Sequence, residues 1–282
     1  MTEQGEAPGA MVWRSVVVSG RPASYGELGS GRTVVFLHGW GLSDRTYRRG
    51  LQRLAGSGVR VVAPALPGFG GTAPLPGADF GLEGFAAWVE DFLETVGIDQ
   101  PVTLVGHSFG GGVAIKTAHD HPARVDRLVL VNSIGGSTWR HRAGQPRHMR
   151  ERPVWDWGLH LSSHVLSPRT FTRILPVIAA DAVPNAVRRP RVLWEVGRLA
   201  RDADLVAELD ELRLRKLPVA VLWGRDDTVI PWASAASLVE ALGDPHLMLV
   251  PGDHSWLLSD PARFAEVLTN VIDIATDGAQ AS

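Results

Sequence analysis

The stretch Val102-Thr-Leu-Val-Gly-His-Ser-Phe-Gly-Gly-Gly112 determines how the rest of the chain is interpreted. Its first four residues favour a β-strand, and the alanine- and valine-containing run at 113–121 predicts a helix. Between them lies the pattern G-x-S-x-G, which in a strand–turn–helix context is typical of a nucleophile elbow. A serine at so sharp a turn adopts a strained backbone conformation, and Gly106 and Gly110 avoid the collisions that larger side chains would make. The sequence therefore predicts that the Ser108 hydroxyl is presented above the N-terminus of the following helix.

Composition excludes several classes of protein. The chain has 282 residues, of which 45% are hydrophobic and 21% charged, with a formal net charge of -2 and no cysteine. These values are those of an ordinary globular protein and give no general attraction to nucleic acid. The absence of cysteine excludes disulfides, thiolate metal sites and a cysteine nucleophile. The acidic N-terminus is not typical of a secretory signal, and no apolar run reaches the about 18 residues of a membrane span, so we expect a cytoplasmic protein.

Apolar runs that are typical of buried strands alternate with helical patterns on both sides of the elbow. We expect strands at 12–18, 23–28, 33–37, 59–63, 102–105, 125–131, 217–223 and 246–250. We expect helices at 45–54, 81–96, 113–121, 233–241 and 261–275. The alternation predicts an α/β fold with a mostly parallel central sheet flanked by helices, and the turn sequence between the first two strands predicts an opening hairpin.

The alternation stops between residues 134 and 216, which predicts a mainly helical lid inserted into the α/β core. The core is then formed by residues 11–133 and 217–276, with disordered tails at 1–10 and 277–282 and helix-like patches in the lid near 169–180 and 192–212. The lid segment holds 15 Arg and Lys against 9 Asp and Glu, a net charge of +6. Its basic residues begin with a cluster that either forms a solvated face or contacts an anionic substrate group or acidic surface: Arg140, Arg142, Arg147, Arg150 and Arg152.

A serine nucleophile needs a base within hydrogen-bond reach and an acid that orients the base. His254 follows the last apolar strand, so its loop is expected at the same edge of the sheet as the elbow. The acid is expected after the strand that ends at Trp223, where Asp226 and Asp227 are adjacent and only one of them can face the histidine. We favour Asp227, with Asp226 stabilising the turn.

The developing oxyanion requires two hydrogen-bond donors. One is expected to be the backbone N–H of Phe109, which follows the serine, and the other the N–H of Trp40 in the loop after the strand at 33–37. His160 and His164 are spaced i,i+4 but lack the adjacent glutamate of a zinc-binding helix, so no metal site is expected.

These motifs resemble those of the α/β-hydrolase superfamily, in its group of lid-bearing, cofactor-free serine hydrolases. The resemblance covers about residues 12–275 and rests on five motifs in order: His38-Gly-Trp-Gly41, Leu66-Pro-Gly-Phe-Gly70, Gly106-His-Ser-Phe-Gly110, Gly224-Arg-Asp-Asp227, and Gly252-Asp-His254 followed by Asp260-Pro261. It implies a triad of Ser108, His254 and Asp227 in the chain order of that superfamily, and an oxyanion hole at Trp40 and Phe109. By the family pattern the acid is the third residue after the glycine, which supports Asp227.

The chain departs from the family at one position, since many relatives carry an aspartate where Ala65 precedes the Leu-Pro-Gly-Phe-Gly segment. That difference leaves the triad untouched and weakens any inference about the loop. The serine at the elbow argues against epoxide hydrolases and haloalkane dehalogenases, which carry an aspartate there.

The leading hypothesis is hydrolysis of a small to medium apolar carboxylic ester through an acyl-enzyme. The alternatives are cleavage of a carbon–carbon bond in ring-cleavage products, perhydrolase or acyl-transfer activity at the same site, and a non-catalytic receptor with the hydrolase fold. Residues expected to line the substrate site are His38, His107, Trp139, Trp155, Trp157 and Val229. We expect a small-molecule substrate and no cofactor, metal or nucleic acid, and both a monomer and a homodimer stay open.

Overall fold

The computed structural model describes residues 9–139, 145, 147–152, 175–243 and 245–280, with the backbone alone described at 175 and 273–280. Within these residues, no helix is long and apolar enough to cross a membrane.

An eight-stranded sheet forms the centre of the fold. Its strands are β1 (Val12–Val18), β2 (Arg21–Leu28), β3 (Thr33–Leu37), β4 (Arg60–Pro64), β5 (Val102–His107), β6 (Val125–Val131), β9 (Val219–Gly224) and β10 (His246–Val250). They are arranged in the order β1-β2-β4-β3-β5-β6-β9-β10. The first two strands form an antiparallel hairpin whose second strand pairs antiparallel with β4, and the remaining neighbours pair in parallel. A separate two-stranded hairpin consists of β7 (Thr138–Trp139) and β8 (Arg147–His148).

Helices cover both faces of the sheet and bury two hydrophobic clusters. The described α-helices are α1 (Arg48–Ala55), α2 (Leu82–Thr95), α3 (Phe109–Asp120), α4 (Leu175–Arg188), α5 (Pro190–Asp202), α6 (Val206–Leu214), α7 (Trp232–Leu242), α8 (Trp256–Ser259) and α9 (Pro261–Gln280). One face is covered by α2, α3, α6 and α7, and the other by α1 and α9. This three-layer arrangement with a mostly parallel sheet confirms the predicted α/β fold.

The helix after the elbow begins earlier than predicted, at Phe109 instead of 113. Because glycine is a weak helix former, the run Gly110–Gly112 suggests a turn. The glycines are helical for a packing reason: a Cβ on Gly111 would lie 2.1 Å from Oγ of Ser133, and one on Gly110 would lie 2.3 Å from the carbonyl oxygen of Leu37. Close approach of α3 to the ends of two strands therefore overrides intrinsic helix propensity.

Three other boundaries differ from the sequence prediction. The helix expected at 45–54 is a 3₁₀ turn at Asp44–Tyr47 followed by α1, and the patch at 192–212 is two helices, α5 and α6. The last helix continues to Gln280, beyond the core boundary expected at 276. Residues 132–218, between β6 and β9, contain the segment predicted as a lid; the parts of that prediction at 140–144, 146 and 153–174 lie outside the described residues. We call residues 134–216 the insertion.

Candidate active site

Ser108 lies between β5 and α3 in a left-handed backbone conformation, with φ 54° and ψ -117°. Such a conformation is strained for a residue with a side chain and is held by its surroundings. The Ser108 N–H donates to the carbonyl of Val131 (3.0 Å), and a Cβ on Gly106 would lie 2.4 Å from the carbonyl oxygen of Gly110. The glycines of the G-x-S-x-G pattern thus permit the tight strand-to-helix turn.

His254 and Asp227 form a buried pair next to this turn. The Nδ1–H of His254 donates to Oδ2 of Asp227 over 2.8 Å, and both side chains are almost completely buried. The imidazole ring of His254 lies 5.0 Å, between centroids, from that of His107, the residue before Ser108. The structure therefore brings the three candidate catalytic residues to one edge of the sheet, the carboxyl ends of its parallel strands.

Asp227 is held by four hydrogen bonds from described residues, all of which it accepts. Besides His254, Nδ2 of Asn132 donates to Oδ2 over 2.6 Å, and the N–H groups of Val229 and Ile230 donate to Oδ1 over 2.8 and 2.9 Å. Asn132 follows β6 and in turn accepts from Nε1 of Trp256 over 2.8 Å. The sequence analysis did not identify Asn132; its only signal is a polar residue at the carboxyl end of a strand next to the elbow strand.

The loop between β3 and α1, residues 38–47, lies against the elbow. A Cβ on Gly39 would lie 3.3 Å from Cβ of Ser108 and 3.1 Å from Nδ1 of His107, so the loop backbone passes directly beside the candidate nucleophile. The next residue is Trp40, which is half-buried, and Phe109 is the first residue of α3 with its ring edge-on to Phe85. This geometry supports the placement of the two expected N–H donors.

His38 and His107, the two histidines beside the elbow, use both of their ring nitrogens in hydrogen bonds within the protein. The Nε2 atom of His38 accepts from the N–H of Leu66 (2.8 Å) and its Nδ1–H donates to the carbonyl of Gly39 (2.9 Å). Burial lowers the pKa of His38 to about 4, so it stays neutral. The sequence analysis expects His38 to line the substrate site; in the structure both of its ring nitrogens are used in hydrogen bonds to backbone groups.

His107 connects the 38–47 loop to the loop of the candidate base. Its Nε2–H donates to the carbonyl of His254 (3.1 Å), and its Nδ1 accepts from the hydroxyl of Tyr47 (2.9 Å). The Tyr47 oxygen in turn accepts from the N–H of Gly39 (3.2 Å). Burial, followed by the nearby His254, lowers the pKa of His107 well below its usual value, which keeps this chain of hydrogen bonds in one protonation state.

Of the other four residues expected to line the substrate site, the structure describes two. Trp139 is buried in the hydrophobic cluster on the α3 face of the sheet, and Val229, two residues after Asp227, is also buried. Trp155 and Trp157 lie outside the described residues, as do His160 and His164. In the described part of the chain, no three His, Asp or Glu side chains are grouped in a way that could hold a metal ion.

Arg152 shows that the basic cluster of the insertion is not one solvated face. Its side chain is 2% exposed, and its guanidinium donates to the carbonyls of Thr228 (3.1 Å) and Val229. The insertion is therefore attached to the loop that carries the candidate acid. Arg140 and Arg142 lie outside the described residues.

Asp44, in the 38–47 loop, is a buried carboxyl group whose oxygens accept no hydrogen bond from any described residue. Burial raises the pKa of Asp44 to about 7, and this effect exceeds the lowering by the nearby Arg45; the carboxylate of Asp181 adds a smaller increase. The folded protein therefore retains this proton up to about pH 7, whereas the unfolded chain releases it near its usual value, about 4. Folding stability is lost as pH rises through this window.

We expect Asp44→Asn to remove that loss, because an amide cannot ionise. Between pH 5 and pH 8 the free energy of unfolding of the variant should rise relative to that of the wild type by about 2–4 kcal/mol. Urea unfolding at both pH values measures this difference, with Asp99→Asn as an exposed control. An unchanged pH dependence in Asp44→Asn would contradict the raised pKa.

Comparison with known proteins agrees with the geometry. The sequence model of the Alpha/beta hydrolase family matches residues 34–267. The chain is 32% identical to the pimeloyl-[acyl-carrier protein] methyl ester esterase of Aromatoleum aromaticum, over 85% of this chain and 97% of the relative. It is 28% identical to the 2-hydroxy-6-oxo-2,4-heptadienoate hydrolase of Pseudomonas putida, over 90% of this chain and 93% of the relative.

Among solved structures, the fold is similar to that of a serine hydrolase involved in carbazole degradation. The TM-score is 0.74 at 22% sequence identity, and the match covers 94% of this chain and all of that one. The family model spans most of the chain, and the relatives it resembles along their whole length are named as hydrolases and esterases. The chain is therefore an enzyme of the alpha/beta hydrolase family.

Proposed function

We propose that this protein is a carboxylic ester hydrolase that acts through Ser108, His254 and Asp227 and an acyl-enzyme intermediate. The observation that carries the proposal is the buried Asp227–His254 pair beside a serine in a strained, left-handed turn. A serine hydroxyl is a weak nucleophile at neutral pH, and an adjacent base held by a carboxylate is the arrangement that activates it.

The hydrogen bond to Asp227 determines which ring nitrogen of His254 carries the proton. Because Nδ1 of His254 carries the donated proton, Nε2 has a free lone pair. In the proposed mechanism Nε2 takes the proton of Ser108 Oγ as Oγ attacks the ester carbonyl carbon. The imidazolium, stabilised by Asp227, then protonates the leaving alcohol. Water repeats the sequence on the acyl-enzyme, releasing the acid and regenerating Ser108.

Negative charge on the former carbonyl oxygen is received by the N–H groups of Trp40 and Phe109 in this proposal. The first lies on the loop that passes within van der Waals distance of Ser108, and the second at the N-terminus of α3, where the helix dipole favours negative charge. Such preorganised donors are the largest single contribution to many acyl-transfer rates. The insertion at 134–216 is proposed to act as a lid above them.

Cleavage of a carbon–carbon bond in a ring-cleavage product is the second candidate, favoured by the relative from Pseudomonas putida whose name describes such a substrate. The same triad and oxyanion hole would serve it. The esterase of Aromatoleum aromaticum favours the first candidate at somewhat higher identity. The insertion's net charge of +6 is compatible with an acidic dienoate, but its buried member Arg152 donates to backbone carbonyls.

The two candidates are separated by comparing kcat/KM for p-nitrophenyl esters, from acetate to laurate, with kcat/KM for 2-hydroxy-6-oxo-2,4-heptadienoate. Ester hydrolysis is followed by nitrophenolate release and carbon–carbon cleavage by loss of the dienoate absorbance, each against the rate without enzyme. A kcat/KM for the best ester at least about tenfold above that for the dienoate supports the proposal. The opposite ratio would assign carbon–carbon cleavage, and no turnover of either would contradict both.

A further inference from the structure

The 38–47 loop has few hydrogen bonds of its own near Trp40. It leaves β3 at Leu37 and has no regular structure before the 3₁₀ turn at Asp44–Tyr47. Among the described residues, its first half forms one internal backbone hydrogen bond, from the N–H of Leu42 to the carbonyl of Gly39 (3.4 Å), and the N–H of Gly39 donates to the Tyr47 hydroxyl (3.2 Å). Since few bonds within the loop hold residues 40–43, contacts from other elements determine how firmly this backbone is fixed.

A carboxylate from the insertion holds the 38–47 loop from outside. Oδ2 of Asp181, on α4, accepts three hydrogen bonds of 2.6 Å each: from the N–H of Ser43, from its hydroxyl, and from the hydroxyl of Thr46. Hydrogen bonds to an ionised acceptor are shorter and roughly twice as strong as neutral ones. The contact joins residues 138 positions apart in the sequence, so it is a tertiary attachment of the insertion to this loop.

Two further hydrogen bonds join the insertion to Trp40 and to the residue after it. Nδ2 of Asn185, one turn beyond Asp181 on α4, donates to the carbonyl of Gly41 over 3.0 Å. The indole Nε1–H of Trp40 donates to the carbonyl of Leu193 on α5 over 2.7 Å. The indole also packs against Gly197, where a Cβ would lie 3.0 Å from the ring. The side chain of Trp40 and the backbone of Gly41 are thus both held from the insertion.

We propose that Asp181 is a positioning residue for the oxyanion hole: from the insertion, its carboxylate fixes the loop backbone that presents the Trp40 N–H to the substrate. This inference rests on the proposed function, because it assigns the Trp40 N–H to the oxyanion. With this role, the insertion helps to position the oxyanion hole in addition to acting as the proposed lid.

A positioning role predicts a particular kinetic signature. An oxyanion donor interacts with the transition state more strongly than with the substrate, so its displacement lowers kcat and leaves KM nearly unchanged. Removing a donor outright costs about 10²–10³-fold, and loosening its loop should cost less, about tenfold. An alkyl boronic acid, which forms a tetrahedral adduct with a serine nucleophile, should lose affinity by the same factor.

The test compares Asp181→Ala with Asp181→Asn and with the matched control Asp202→Asn, an exposed acid at the end of α5. We expect kcat for the best ester to fall about tenfold in Asp181→Ala with KM within about twofold, and the boronic acid inhibition constant to rise in parallel. Asp181→Asn retains an uncharged acceptor and should lose less. Asp202→Asn should match the wild type.

Hydrogen exchange gives a readout that does not depend on turnover. Amides of residues 39–47 should exchange faster in Asp181→Ala than in the wild type and in Asp202→Asn, while peptides from α2 and β5 stay protected. Unchanged exchange in the loop would overturn the proposal. Faster exchange with an unchanged kcat, or a raised KM at constant kcat, would overturn the positioning role and leave the proposed ester hydrolysis intact.

Failure of the proposed function would look different. A wild type without serine-dependent turnover of any ester or dienoate would overturn both the proposed function and the positioning role of Asp181. An active wild type with variants that behave alike would overturn this inference alone.

Discussion

Ser108→Ala is expected to lower kcat for ester hydrolysis by about 10⁶-fold, to the residual rate that binding and the oxyanion hole support without a nucleophile. No acyl-enzyme can form without Oγ. The hydrogen bonds that hold the Asp227–His254 pair and the packing of the 38–47 loop against the elbow do not involve Oγ, so the substitution should leave both in place. KM should therefore change little. The strained backbone at residue 108 is retained, so folding stability should change by less than about 1 kcal/mol.

The measurement is burst and steady-state kinetics with p-nitrophenyl esters, together with the mass shift from a fluorophosphonate that labels activated serines. The matched control is Ser133→Ala, the same substitution at a buried serine whose hydroxyl donates to the carbonyl of Ile134. We expect the burst and the label to disappear in Ser108→Ala and to persist in Ser133→Ala. Turnover that survives Ser108→Ala would place the nucleophile elsewhere.

Much of the fold is predictable because its strands carry local signals. The runs at 12–18, 33–37, 125–131 and 246–250 have the same bounds in the structure as in the sequence analysis, since most residues in each are apolar. The helical start of α3 is not predictable in this way. It depends on the close packing of Gly110 and Gly111 against two other strand ends, which are remote in sequence.

In the candidate site, too, the residues within local motifs are predictable from the sequence and those held by remote contacts are not. Ser108 and His254 stand in motifs that are recognisable from neighbouring residues. Asn132, Tyr47 and Asp181 have no motif, and each acts through a partner at least 60 residues away in the chain. His38 and His107 stand within two of the motifs and are expected to line the substrate site, yet their ring nitrogens form hydrogen bonds to backbone groups and to Tyr47. Sequence proximity to a motif therefore indicates location but not the direction in which a side chain's polar atoms point.

Asp227→Asn is expected to lower kcat by about 10⁴-fold although it changes a single heavy atom. All four described partners of this carboxylate are donors, two on each oxygen. An amide turned with its NH₂ toward His254 would hold the imidazole in the tautomer with the proton on Nε2, which cannot accept the Ser108 proton. The opposite orientation would direct the NH₂ at the N–H groups of Val229 and Ile230, leaving buried donors unpaired at a cost of about 1–3 kcal/mol each.

Asp226→Asn is the matched control, because it is the same substitution one residue earlier on an exposed side chain that the sequence left as the alternative acid. We expect Asp226→Asn to keep kcat within about twofold of the wild type and to leave the free energy of unfolding within about 0.5 kcal/mol, since surface substitutions away from such networks have small effects. Measuring kcat/KM of both variants across pH 5–9 tests which of the two carboxylates orients His254. A loss in Asp226→Asn equal to that in Asp227→Asn would show that the whole 224–227 turn, and not one carboxylate, orients His254. An active Asp227→Asn would remove the acid from the proposed triad, because the hydrogen bond to Nδ1 would then be dispensable for holding the catalytic tautomer.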